Sequence, residues 1–191
     1  MKEMIKMMVV LSLICGLAGV TLAALKEATA PTIEEQVLNY VQAPAIVSVL
    51  NDYDNNPIKD RKQFDINGRT VTVFPAMVQG SLKTVAFETS GKGYGGNIGV
   101  MVGFDLGSDT LSGIGITTLK ETPGLGSRVV EHGYTTQFKG HSIDAVNLKK
   151  NGGDIEAVSG ATISSTGTVS AIRDAIVIYN TLKTKFADSW S

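Results

Sequence analysis

Hydrophobic and polar positions follow three regimes along this chain. Met7 to Leu25 contains no charged residue and is long enough to cross a bilayer as a helix. Thr32 and Glu35 then make a capping-box pattern after Pro31, and Ile33, Val37, Leu38 and Tyr40 to Val41 recur at helical spacing. That pattern predicts a short helix, interrupted at Pro44. Asn51 to Lys59, rich in Asn and Asp, reads as a turn into a folded domain. From Arg69 the period falls to that of strands, over Thr70 to Phe74, Leu82 to Glu88, Ile98 to Asp105 and Gly113 to Leu119. Gly80, Gly91 to Gly96 and Gly107 to Asp109 separate them, and connections this short favour antiparallel pairing. A last helix is expected from about Ser165 to Lys185, with Val169, Ile172, Ile176 and Tyr179 packing on the sheet. The expected fold is therefore α+β: an antiparallel sheet packed by helices, with one N-terminal transmembrane helix.

Charge adds orientation. Lys2 and Lys6 precede the apolar run and favour a cytoplasmic N-terminus, although Lys26 after it weakens the asymmetry. The organisation that follows is a cytoplasmic N-terminus at 1–6, a transmembrane helix at 7–26, a helix and linker at 27–60, and a folded domain at 61–191 on the periplasmic or extracellular side. A cleaved signal peptide fits the same start, with Ala28-Thr29-Ala30 as the cleavage site, but Pro31 directly after it argues against cleavage there. Seventeen basic and 18 acidic residues leave a net charge of −1, which gives no hint of nucleic-acid binding. Cys15 is the single cysteine, which rules out an intrachain disulfide or a cysteine-ligated cluster. His132 and His141 lack metal-ligand spacing, no nucleophile–base combination is available, and so no metal ligand and no catalytic residue is assigned. Gly91 to Gly96 matches G-x-G-x-x-G, yet the strand-like run after it denies the helix that a dinucleotide fingerprint needs.

The remaining chemistry lies at Ser159-Gly160-Ala161-Thr162, between the β-prone run Ile155 to Val158 and the last helical pattern. A threonine hydroxyl at a helix entrance sits where unpaired N–H groups and the macrodipole favour a phosphate. Read alone, the four residues fit an ordinary capped turn better. The longer passage, Glu156 to Ser165, closely resembles the flavinylation motif of the FMN-binding domain family of the RnfG and NqrC electron-transport subunits. A second passage, Leu119-Lys120-Glu121-Thr122-Pro123-Gly124-Leu125-Gly126, resembles a flavin-facing loop of the same family. The likeness runs nearly continuously from Ala76 to Ala175 and includes Gly93-Tyr94-Gly95-Gly96.

The resemblance implies covalent FMN on Thr162 through a phosphoester, with Ser159, Gly160, Ala161 and Ile163 around the anchor. It implies a ring pocket formed by Thr122, Pro123, Gly124, Leu125 and Gly126. It also implies an uncleaved helix and an electron-carrier subunit, rather than a stand-alone enzyme, in an Rnf-type ferredoxin:NAD oxidoreductase complex that translocates sodium or protons. Expected partners are a second covalent-FMN subunit, iron–sulfur membrane subunits, and a flavin transferase for maturation. Glu156 departs from the pattern, standing where Asp is usual. Two other readings are a relay of another respiratory chain, NqrC-like or stand-alone, and an exported scaffold module without flavin.

Overall fold

In the computed structural model, which describes residues 1–66 and 68–190, the chain divides into an N-terminal unit, Met1–Tyr40, and a folded unit, Val41–Ser191. The N-terminal unit is dominated by one helix, α1 (Lys2–Val37), which is long and apolar enough to cross a membrane. Pro31 lies inside α1, so the expected break into a span and a separate short helix does not occur, and Thr32 stands in the interior of the helix, not at a helix start. One interior proline removes a single backbone bond, which the turns on either side outlast here. A π-helical turn, Leu38–Gln42, follows, and then α2 (Ala43–Val49), whose first turn accommodates Pro44 where no N–H is needed.

Among the described residues, five strands make one antiparallel sheet in chain order: β1 (Lys62–Ile66), β2 (Arg69–Val78), β3 (Ser81–Lys92), β4 (Asn97–Asp105) and β5 (Thr110–Thr118). Alternation assigns the two faces. Val85 and Phe87 on β3 and Val100, Val102 and Phe104 on β4 lie on one face, in the main core. There they meet Val169, Ile172, Tyr179, Leu182 and Phe186 of the long helix α4 (Thr162–Ser189). Phe104 stacks on Tyr179 with ring centroids 4.4 Å apart. The opposite face carries Gly103, Gly113 and Gly115, whose missing side chains let Ala45, Ser48 and Val49 of α2 lie on the backbone.

The start of α4 is held tightly to β3. A Cβ on Gly91 would strike the Gly167 carbonyl, and a Cβ on Gly167 would lie 2.5 Å from the Lys92 carbonyl oxygen. Thr89 Oγ1 donates to the Ala171 carbonyl at 2.9 Å just beyond. Between β5 and α4 the chain forms short 3₁₀ turns and a one-turn helix, α3 (His132–Thr135). Ile155 makes an isolated parallel bridge to Leu148, and the β-prone run ahead of α4 does not join the sheet. α4 itself begins at Thr162, three residues before the expected start.

Candidate functional site

The turn into α4 is built from its own backbone and one serine. Gly160 takes φ +78°, a left-handed conformation that costs a glycine little, and the Ala161 N–H donates to the Val158 carbonyl at 2.9 Å. Ser165 Oγ accepts from the Val158 N–H at 2.9 Å and donates to the Ala161 carbonyl at 3.0 Å, closing the turn. Tyr134 Oη donates to the Ser165 carbonyl at 3.2 Å, and burial pushes that phenol up to about 12, so it stays protonated. Ala161, in the capping position, has no side chain able to cap. The N–H groups of Thr162, Ile163 and Ser164 therefore point out of the helix without a side-chain cap, as an anion would require.

Hydroxyls near this entrance are not equivalent. Ser164 and Ser165 are only 2% and 0% exposed, and both are engaged in hydrogen bonds. Thr162 and Ser159 are exposed, and among the described residues neither side-chain hydroxyl has a hydrogen-bond partner. Thr162 alone combines an open hydroxyl with the first position of the helix. Ile163 beside it is 53% exposed, an apolar side chain left facing outward.

The second motif meets the first. In the loop after β5, the Thr122 carbonyl accepts from the Leu125 and Ser127 N–H groups, each at 3.2 Å, and Gly124 turns through φ +71°. This bends Thr122, Pro123, Gly124 and Leu125 outward, all exposed, while Gly126 is buried beneath them. Leu125 leans over the other loop: a Cβ on Gly160 would lie 2.9 Å from its Cδ1. The half-exposed Leu125 thus lies beside the helix entrance, offering an apolar face next to an anion-binding one.

Two side chains absent from the expected site hold it together. Glu121 accepts from the Gly95 N–H on Oε1 at 3.0 Å and from Ser164 Oγ on Oε2 at 2.6 Å, so one carboxylate ties the glycine-rich loop, the Leu125 loop and α4. Gln137 brackets Glu156: its Oε1 accepts the Glu156 N–H at 2.7 Å and its Nε2 donates to the Glu156 carbonyl at 3.3 Å, as a neighbouring strand would. Glu121 stands inside the matched passage, so its place next to the loop was legible. Nothing in the sequence marks Gln137. The Glu156 carboxylate points to solvent and pairs with Lys149, whose hydrogen bond and positive charge hold it below the usual carboxylate range.

These residues fit an FMN-type ligand: an open hydroxyl and uncapped N–H groups for a phosphate, and exposed apolar side chains for a flat ring. A model of the FMN-binding domain family matches residues 93–177, from the glycine-rich loop into α4. The RnfG-type subunit of the ion-translocating oxidoreductase complex of Stutzerimonas stutzeri is 31% identical over 177 residues, 87% of this chain and 76% of that protein. The corresponding subunit of the proton-translocating ferredoxin:NAD(+) oxidoreductase complex of Clostridium ljungdahlii is 29% identical over 172 residues, 87% of this chain and 86% of that one. Among solved structures, the NqrC-type subunit of the Na(+)-translocating NADH-quinone reductase of Parabacteroides distasonis superposes with a TM-score of 0.54 at 23% identity, over 70% of this chain and 73% of that one.

Proposed function

The chain belongs to the RnfG family of ion-translocating oxidoreductase complexes, and from that premise we propose that it is a membrane-anchored electron carrier holding FMN covalently on Thr162. The observation that carries the linkage is the Thr162 hydroxyl, the one exposed and unengaged hydroxyl on the first turn of α4. The flavin supplies the redox chemistry. The chain's own residues bind and orient it. A phosphodiester on Thr162 keeps one negative charge, which the uncapped N–H groups and the α4 dipole stabilise by about 1 kcal/mol. Gly160 and Ala161 leave room beside the hydroxyl for the ribityl chain, and Ser159 borders that space. Leu125 and Ile163 bring apolar surface to the ring, while Thr122, Pro123, Gly124 and Gly126 shape the loop that carries Leu125.

The proposed setting is an Rnf-type ferredoxin:NAD oxidoreductase complex in the plasma membrane, coupled to sodium or proton translocation. α1 confines the carrier to the membrane, with residues 7–26 as the span and the domain at 61–191 on the periplasmic or extracellular side. Asn67 and Ser191 of that range lie outside the described residues. A carrier with a single cofactor needs a donor and an acceptor, which the second flavin subunit and the iron–sulfur membrane subunits supply. A flavin transferase would reach Thr162 from solvent.

Peptide mass spectrometry of the full-length protein from its native membranes tests the proposal. The peptide containing Thr162 should carry the FMN mass, Thr162→Ala should lose it, and protease added outside sealed cells should release that peptide. A flavin adduct persisting on another residue in Thr162→Ala removes the linkage, and complete protection from the protease removes the orientation. Subunits recovered with the gently solubilised protein test the partners; isolation as a lone, fully active carrier contradicts the complex.

A further inference from the structure

Glu121 is half-buried where three segments distant in the chain converge, and two glycines make the space for its carboxylate. A Cβ on Gly126 would lie 2.5 Å from Oε2, and a Cβ on Gly93 would collide with Oε1. Both oxygens are used, one by the Gly95 N–H and one by the Ser164 hydroxyl. Bonds to an ionised acceptor are stronger than neutral ones, and the 2.6 Å separation to Ser164 Oγ is in the range of charge-assisted pairs. By contrast, the loop that Glu121 anchors has little else to hold it: Thr122 to Leu125 are exposed, and their hydrogen bonds among the described residues are local ones, within the turn and to the 3₁₀ turn that follows it as far as Arg128.

We propose that Glu121 is a positioning residue for the flavin, fixing the Thr122–Gly126 loop against the first turn of α4 so that Leu125 stays over Gly160 and beside Thr162. It touches no cofactor in this role. It sets the distance between the loop that meets the ring and the helix that holds the phosphate, and two rigid attachments sharing one carboxylate keep that distance from varying. The role rests on the reading of the loop as the ring contact.

Three variants of the full-length protein separate position from mere bulk. Glu121→Ala removes both bonds. Glu121→Gln retains them in form, because its carbonyl accepts the Gly95 N–H and its amide donates to the Ser164 hydroxyl, which switches from donor to acceptor. Ser164→Ala removes one arm while leaving Glu121 in place. Hydrogen bonds to a charged group contribute enough that losing one raises local opening by roughly tenfold or more. Amide exchange over residues 122–127 should therefore quicken by about that factor in Ser164→Ala, by at least as much in Glu121→Ala, and by clearly less in Glu121→Gln, whose neutral bonds keep the geometry without the charge. The double variant Glu121→Ala/Ser164→Ala should exchange no faster than Glu121→Ala alone, since both act on one contact.

Iodide quenching of flavin fluorescence, on protein whose adduct mass has been verified, should follow the same order. Wild-type exchange in Glu121→Ala, or no rescue by Gln, overturns the proposal. Faster exchange with unchanged quenching means that the loop is held by Glu121 but does not position the ring, which overturns it as well. The exchange measurement needs no flavin, so a missing adduct on Thr162 would count against the function proposed above and leave the Glu121 result standing on its own.

Discussion

Gly167→Ala is a substitution for which local propensity and packing predict opposite signs. Replacing a glycine inside a helix by alanine stabilises it by about 1 kcal/mol when nothing else intervenes. Here the new methyl would lie 2.5 Å from the Lys92 carbonyl oxygen and 3.1 Å from the Gly93 N, both backbone atoms of a central strand and its turn. Neither can swing aside as a side-chain tip would. Because the clash is with backbone, its cost lies in the upper part of the usual overpacking range, about 2–3 kcal/mol, which exceeds the propensity gain and leaves a net loss of about 1–2 kcal/mol. For a domain of this size that lowers Tm by about 2–8 °C. The displacement also strains the Thr89 bond to Ala171.

Trp190 provides the assay. It is the only tryptophan, is 8% exposed, packs on Phe64 and Phe186, and donates its indole N–H to the Asp60 carbonyl at 3.0 Å. Its fluorescence therefore reports whether the far end of α4 remains docked as the protein is heated. A Tm equal to or above that of wild type would mean that α4 and β3 part easily at this contact, refuting the close-packing argument.

Leu125→Glu should leave the flavin attached at Thr162 but place a charge against the ring, so that its absorbance approaches that of free FMN; an unchanged spectrum would separate this loop from the cofactor. Asp109 accepts from Lys183 and Tyr179, and these bonds hold its carboxyl below the ordinary 3.8. A depressed folded value gives stability that is present above pH 3.8 and lost as the pH falls through the folded value. Lys183→Met should thus cost no more than about 1 kcal/mol at neutral pH, the pair being exposed, with the difference from wild type shrinking under acid. Urea titrations at both pH values measure it, and a difference that persists in acid would show that the lysine acts through packing instead.

Strands β2 to β5 were legible because each is an apolar, β-prone run bounded by turn residues; β4, buried on both faces, still alternates large side chains at Ile98, Val100, Val102 and Phe104 with Gly99 and Gly103, and the sheet is antiparallel, as the short connections require. β1 was not. Lys62 to Ile66 is an edge strand with only Phe64 and Ile66 turned inward, too short a pattern to stand out. The early start of α4 was hidden for a different reason: its inward face over the first two turns is Ser164, Ser165, Gly167 and Thr168, buried but not apolar, so no hydrophobic stripe announces it. Those small polar residues serve the turn, the Glu121 contact and the approach to β3. The candidate site was readable as two motifs. That they meet through Leu125 and Gly160 is a property of the tertiary fold, and a half-buried carboxylate such as Glu121 reveals its partners only when the segments are brought together.

The meander also imposes an order in time. Each strand pairs with the one before it, so the sheet can be completed from residues 62–118 as soon as they are available, with short loops to close. The surface around Thr162 has no such independence. Its hydroxyl, the Leu125 loop and the glycine-rich turn become neighbours only after the chain as far as α4 has been delivered and has laid itself across the finished strands. Any enzyme that reads the assembled surface, and not the bare peptide, is thereby made to wait for a folded client, and a chain halted before α4 would not present that surface at all.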